Sequence, residues 1–164
     1  MFYETIFEKL NKSHIDYIVV GGVALVLHGV VRLTADLDLM VYLERNNLSN
    51  FVNVMYELGY KPKIPVNAMS IIDPAIREAW IKEKNMKVFT FYHPKNPIGL
   101  IDIFINEPID YKEVKKHTIN VKSGNLVIPV ISIDDLINLK KISGRPQDIA
   151  DIAALREIKK DEQI

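Results

Sequence analysis

The 164-residue chain has no cysteine. Disulfides, thiolate metal sites and thiol nucleophiles are thereby excluded. It also lacks an excess of either charge: 21 Lys and Arg face 21 Asp and Glu, for a formal net charge of +0. Attraction to nucleic acid by bulk charge is excluded, which leaves only local clusters of cations. No apolar run approaches the ~20 residues that span a bilayer; the longest lies around Tyr17 to Leu27. The opening MFYETIFEKL has neither the basic start nor the long apolar core of a signal peptide. The expected localisation is cytoplasmic, with no membrane partner. The motifs G-x-x-x-x-G-K-[ST], G-x-G-x-x-G and H-E-x-x-H are missing too, which sets aside the common P-loop, dinucleotide and zinc-protease sites.

What remains is an ordinary globular composition, 48% hydrophobic and 26% charged. The length suits one domain. Phe2, Ile6 and Leu10 recur at helical spacing. Ile15 to Val20 reads as a strand, Gly21-Gly22 as a turn, Val23 to His28 as a helix and Leu37 to Leu43 as a second strand. Asn47 to Leu58 is helical, with Gly59 as its C-cap. Pro62 and Pro65 mark a loop, and Asp73-Pro74 opens a helix to Lys84. Lys87 to Tyr92 and Leu100 to Ile105 are strands joined by HPKNPIG. A short helix, Tyr111 to His117, precedes a hairpin of Ile119 to Val121 and Leu126 to Val130. Ser132 with Asp135 caps a helix that Gly144 ends, and Arg145-Pro146 opens a last helix to Lys159. The expectation is a single domain over 1–164, with a core over 15–130 and C-terminal helices over 132–159. Its class is α/β (α+β), a mixed β-sheet flanked by helices.

Carboxylates stand where this pattern leaves little room for them. Asp36 and Asp38 interrupt the apolar "TADLDL", and as residues i and i+2 of a strand they share a face. Asp102 sits alone inside "GLIDIFI". If the two strands are neighbours, three carboxylates converge and their repulsion calls for a cation. An all-oxygen ligand set suits Mg²⁺ or Mn²⁺, bound together with substrate phosphates. Gly21 and Gly22, at the start of a helix, allow a phosphate to approach backbone N–H groups. Together these point to a site with two ions. It would hold an NTP, activate an attacking hydroxyl and stabilise departing pyrophosphate.

This constellation resembles the nucleotidyltransferase fold of the DNA polymerase β superfamily, in which a glycine-rich turn precedes D-x-D and a third carboxylate lies on a later strand. The turn here is Gly21-Gly22, the pair Asp36 and Asp38, the third Asp102. "GGVALVLHGVVRLTADLDL" and "DLINLKKISGRPQDIADIAAL" look most like the small AbiEii-like proteins of type IV toxin–antitoxin systems. The resemblance spans Tyr17 to Leu155. It implies a metal-dependent transferase moving an NMP, ATP among the donors, to a tRNA 3′ end or a protein side chain. A toxin role with a cognate antitoxin partner is also implied. The rivals are an antitoxin-type minimal nucleotidyltransferase that modifies a protein partner, and a nucleotide- or partner-binding module without catalysis. Many members carry Gly-Ser at the turn, where the serine hydroxyl contacts the triphosphate; Gly22 departs from this.

Further candidates are basic. Arg32 is placed to contact phosphate or to pair with the aspartates. The stripe Ile133, Leu136, Ile137 runs into Lys140 and Lys141, as if leaving the core for a cleft, and Lys140 also matches a lysine before the "GRP-x-D" segment of the resembled family. Lys140 and Arg145 are therefore candidate phosphate ligands, although Arg145 and Asp148 at i, i+3 also suit a helical ion pair. His28 is expected to pack or cap, and Arg77 and Lys82 to be solvated.

Overall fold

The computed structural model describes residues 3–163; Phe2, expected on the first helix stripe, lies outside the described residues. The order is α1 (Glu4–Lys12), β1 (Tyr17–Val20), α2 (Gly21–Leu27), β2 (Leu37–Val41), α3 (Arg45–Glu57), β3 (Lys61–Pro62), a 3₁₀ turn (Ala68–Ile72), α4 (Pro74–Lys84), β4 (Val88–His93), β5 (Asn96–Phe104), α5 (Tyr111–His117), β6 (Ile119–Ser123), β7 (Leu126–Val130), α6 (Ile133–Ser143) and α7 (Pro146–Glu162). The strands form one mixed sheet, ordered β3-β4-β5-β2-β1-β7-β6. β1 runs antiparallel to β2 and parallel to β7, while β2 is parallel to β5. No described helix is long and apolar enough to cross a membrane.

Local chemistry sets the element ends. The carboxylates of Glu44, Asp73 and Asp110 accept hydrogen bonds from first-turn N–H groups of α3, α4 and α5, and Ser132 does the same for α6. α6 stops at Gly144, whose φ of 63° is a left-handed C-cap. The four residues of β1 are all buried, as a strand flanked on both sides and covered on both faces must be. Phe7 of α1 stacks on Tyr17, and Phe51 of α3 meets Phe91 edge-on. Several boundaries shift by one or two residues, and three differences bear on the site. α2 begins at Gly21 itself; β3 and the 3₁₀ turn appear where a loop was expected; and β5 starts at Asn96, four residues earlier. The β4–β5 hairpin therefore extends past the start of β2, beside the aspartates. Its prolines are tolerated because that stretch has no partner in β2.

Candidate active site

Register brings the carboxylates together. Val20, the last residue of β1, pairs with Asp38; Asp38 pairs with Asp102 on β5; and Asp102 pairs with Thr90 on β4. Directly paired residues share a face, so Asp38, Asp102 and Thr90 lie in one row across three strands. Asp36, just before β2, is on the same side, and its Oδ1 accepts a hydrogen bond from the Leu100 N–H at 3.3 Å. The Thr90 hydroxyl donates to Asp102 Oδ1 at 2.6 Å. The Asp38 and Asp102 side chains lie close enough that each acts on the ionisation of the other.

The glycine turn fits around these groups. Gly21 has φ of 67°, and a Cβ there would lie 2.1 Å from Asp38 Oδ2. A Cβ on Gly22 would lie 2.5 Å from Thr34 Oγ1. The Gly22 N–H donates to the Asp38 carboxylate. The physical reason for the two glycines therefore differs from the one read off the sequence. They make room for the protein's own Asp38 and Thr34, and one backbone donor is already engaged. A serine side chain at 22 has no space while Thr34 stands where it does, which accounts for the departure from Gly-Ser.

The electrostatics follow from this crowding. Burial, then the charges of Asp102 and Asp36, push the Asp38 carboxyl up to about 7, against the opposing pull of Arg145 and the Gly22 N–H. Burial also raises Asp102, opposed by the Thr90 hydrogen bond and by the Lys63 ammonium. Tyr3 is 4% exposed. Its hydroxyl donates to the Ala35 carbonyl, and burial, with the nearby Asp36, raises its pKa well above the usual phenol value. Tyr3, Lys63 and Thr90 escaped the sequence reading. Only Thr90 had a signal, as a lone polar residue inside Val88-Phe89-Thr90-Phe91, the same sign that betrayed Asp102.

The basic candidates separate. Lys140 is not exposed in a cleft: it is 5% exposed, and its Nζ donates to Asp151 at 2.9 Å and lies 3.5 Å from Asp148. The apolar stripe of α6 continues into a lysine because α7 supplies two buried carboxylates to receive it. Arg32 pairs with Asp151 rather than with Asp36 or Asp38. Of the three candidate phosphate ligands, Arg145 alone faces out, with 64% of its side chain exposed. It donates to the Asp148 carboxylate, which burial would raise but which these bonds bring down to about 2. Its charge also reaches Asp38. His28 packs as expected, its Nε2 2.7 Å from the Ile131 carbonyl. Arg77, expected to be solvated, is buried and donates to the Ile71 carbonyl at 2.6 Å.

The donor set suits a divalent cation. Three carboxylates of one face crowd each other enough to retain a proton near neutrality, and an oxygen-seeking cation would replace that proton. Among the described residues no three acidic or imidazole groups stand as a ready-made metal cluster.

No protein-family profile matches the sequence, and no curated protein matches it in sequence. Solved structures do match in shape. The lincosamide antibiotic adenylyltransferase LnuA, bound to lincomycin, superposes with a TM-score of 0.61 at 17% identity, over 94% of each chain. ANT(2″)-Ia in complex with adenylyl-2″-tobramycin gives 0.59 at 11% identity, over 96% of this chain and 91% of that one. An antigenic nucleotidyltransferase-like protein from Paracoccidioides brasiliensis gives 0.58 at 16% identity, over 92% and 72%. At such identities the likeness carries the fold: this is a nucleotidyltransferase fold, a mixed seven-stranded sheet with its helices.

Proposed function

We propose that the chain is a nucleotidyltransferase. It moves a nucleoside monophosphate from an NTP to an acceptor hydroxyl, with loss of pyrophosphate. The observation that carries this reading is the row of Asp38 and Asp102, paired across parallel strands, with Asp36 on the same face. The fold shared with two antibiotic adenylyltransferases supports it. In the reaction the acceptor oxygen bonds to the α-phosphorus while the bond from that phosphorus to the bridging oxygen breaks. Pyrophosphate leaves with the electron pair. The hydroxyl proton passes to the Asp102 carboxylate, directly or through a water. Thr90 fixes the Asp102 rotamer for this task. Arg145, exposed but tethered by Asp148, holds triphosphate oxygens near Asp38. Gly21 and the start of α2 border the same phosphates. Asp36, Asp38 and Asp102 would bind Mg²⁺ or Mn²⁺, two ions in the full complex, which offset triphosphate charge and make the hydroxyl more acidic.

The toxin–antitoxin setting belongs to this proposal as its biological frame. A transferase of this size, acting on a tRNA 3′ end or on a protein side chain, would disable or mark its target. Lys140 and Arg32 enter as supports for Arg145 rather than as phosphate ligands, since both are committed to Asp151.

The test is calorimetric titration of Mn²⁺ together with a non-hydrolysable NTP. Wild type should bind the pair cooperatively, and Asp38→Asn should bind it at least an order of magnitude more weakly while keeping its fold. Equal affinity in the folded variant would sink the reading.

A further inference from the structure

The strands that carry the aspartates run out, at their far ends, into a second cleft. β2 leads into Tyr42 to Glu44 and β5 into Ile105 to Glu107; with the first turns of α4 these residues line an open cleft of about 460 Å³. α3 and α4 pack on Phe91 and Phe89. Those two alternate with Thr90 and so face away from the aspartates. The cleft therefore lies apart from the transferase site, and the chemistry of that site does not use it.

Arg77 lines this cleft and is 8% exposed. A guanidinium carries five N–H donors and pairs best with a planar oxyanion that takes two of them at once. Among the described residues its side chain makes one hydrogen bond, to the Ile71 carbonyl at 2.6 Å, and no ion pair. Asp73 bears on its charge, but that carboxylate is taken up by the Ala75 N–H as the cap of α4. Burial lowers the Arg77 pKa in spite of Asp73. Lys140, the other buried cation, has two carboxylates to itself, whereas Arg77 has none. A buried charge without a counter-ion is costly. The mouth of the cleft has the opposite sign: Glu44, Glu78 and Glu107 are exposed on it. Glu44 caps α3, and Glu78 holds Lys82 at 2.7 Å in a solvated pair of little strength. Glu107 has no partner among the described residues. Leu43, Ile81 and Ile105 supply apolar wall.

We infer that this cleft docks a segment of a partner protein in which one carboxylate side chain stands between basic and apolar residues. The carboxylate takes two free N–H groups of Arg77, the flanking cations meet Glu78 and Glu107 at the mouth, and the apolar side chains cover Leu43, Ile81 and Ile105. Charge complementarity selects this occupant. A phosphate or a nucleotide would bring two or more negative charges past the glutamates. A purely basic segment would leave Arg77 unpaired and be repelled by it. A free amino acid has one ammonium, whereas the glutamates stand on separate elements, α4 and the segment after β5. The inference does not depend on the transferase reading, since none of these residues belongs to that site.

The experiment uses the full chain and short fluorescent peptides, acetylated and amidated so that side chains supply all the charge. One set has Glu or Asp at the centre, with Lys, Arg, Leu and Ile permuted around it. A second replaces the central acid by Gln or Asn. A third keeps the acid and replaces the flanking Lys and Arg by Glu. Fluorescence anisotropy should show binding within the first set, about tenfold or more weaker binding of the matching peptides in the other two, and no displacement by excess inorganic phosphate. Arg77→Lys keeps the charge but loses the planar fork, and should weaken the first set by about tenfold or more. Glu107→Lys, at an exposed position, should melt as wild type does, weaken the first set about fivefold and strengthen the third. Should Arg77→Lys fail to fold, the central Gln peptides and Glu107→Lys still decide the matter. No binding in the first set, equal binding of acid and amide peptides, displacement by phosphate, or indifference to Glu107→Lys each overturns the inference. A concentration-dependent dimer that Glu107→Lys abolishes would assign the cleft to a second copy and overturn it as well.

Discussion

Asp38→Asn should stabilise the ligand-free protein at neutral pH, by an amount the structure allows us to work out. The Asp38 carboxyl rises from an ordinary 3.8 to about 7 because it is buried beside two other carboxylates. Below pH 3.8 the group is protonated in both folded and unfolded chains and has no effect. As the pH rises, the unfolded chain releases this proton first while the folded chain retains it, so ionisation favours unfolding. The cost grows until the folded group ionises near 7 and is constant above that. The interval from 3.8 to about 7 corresponds to roughly 4 kcal/mol, a large share of the ~5–15 kcal/mol that holds a domain together. Asparagine keeps the shape and can still accept from the Gly22 N–H, yet never ionises. Urea denaturation, followed by fluorescence of the only tryptophan, reads the effect. Trp80 is 8% exposed and stacks on Phe89, so it reports loss of the core. Wild type should lose stability between pH 5 and 7, and the variant should lose much less over the same range. Mn²⁺ with a non-hydrolysable NTP should restore wild type by mass action. An identical pH slope in the two proteins would refute the crowded-carboxylate account, as would an Asp38→Asn protein less stable than wild type at pH 8.

Two further substitutions probe the frame of the site. Lys140→Met leaves Asp148 and Asp151 buried without their shared ammonium, and thermal melts should show a loss toward the lower end of the ~3–5 kcal/mol typical of a broken buried pair, because Arg32 and Arg145 remain as partners. Gly22→Ser should destabilise by ~1–3 kcal/mol through collision with Thr34, and Thr34→Gly in the same chain should recover most of that loss in a double-mutant cycle; additive losses would show that the two positions do not meet.

The framework was legible in the sequence where local chemistry decides it. Asp73-Pro74, Ser132 with Asp135, and Gly144 each mark a helix end through a cap or a left-handed turn, and each stands where the pattern put it. Asp102 was legible as a candidate because a lone carboxylate inside an apolar strand needs a reason. Strand partnership is a different matter. Nothing local states that β2 lies parallel to β5 with Asp38 opposite Asp102, and that register depends on contacts 64 residues apart. Thr90 illustrates the boundary between the two. Its polarity was visible, but its role follows only once β4 lies antiparallel to β5. Tyr3 and Lys63 reach the site by tertiary routes that leave no periodicity to read. Lys140 was misjudged because an amphipathic stripe says where the apolar face ends, not whether a neighbouring helix carries carboxylates to bury a cation beyond it.

The same cluster explains how the C-terminal helices come to border the site. α6 and α7 pack on each other, and Asp151 takes Lys140 from α6 and Arg32 from the loop before β2. One carboxylate therefore fastens the helical pair to the segment that carries Asp36. Asp148, one turn earlier, takes Lys140 as well and holds Arg145 through its backbone N–H and its guanidinium. Two carboxylates and three cations leave one positive charge in excess. Four of the five groups are largely withdrawn from solvent, and the exposed one is Arg145. The surplus thus emerges at the guanidinium whose charge already bears on Asp38. A buried ion network is weak evidence for stability in itself, but here it fixes a loop, two helices and one exposed cation relative to three aspartates. In the segment "GRPQDIAD" both aspartates are thus committed to cations of the protein itself, and Arg145 is the one charged group of the network left facing solvent.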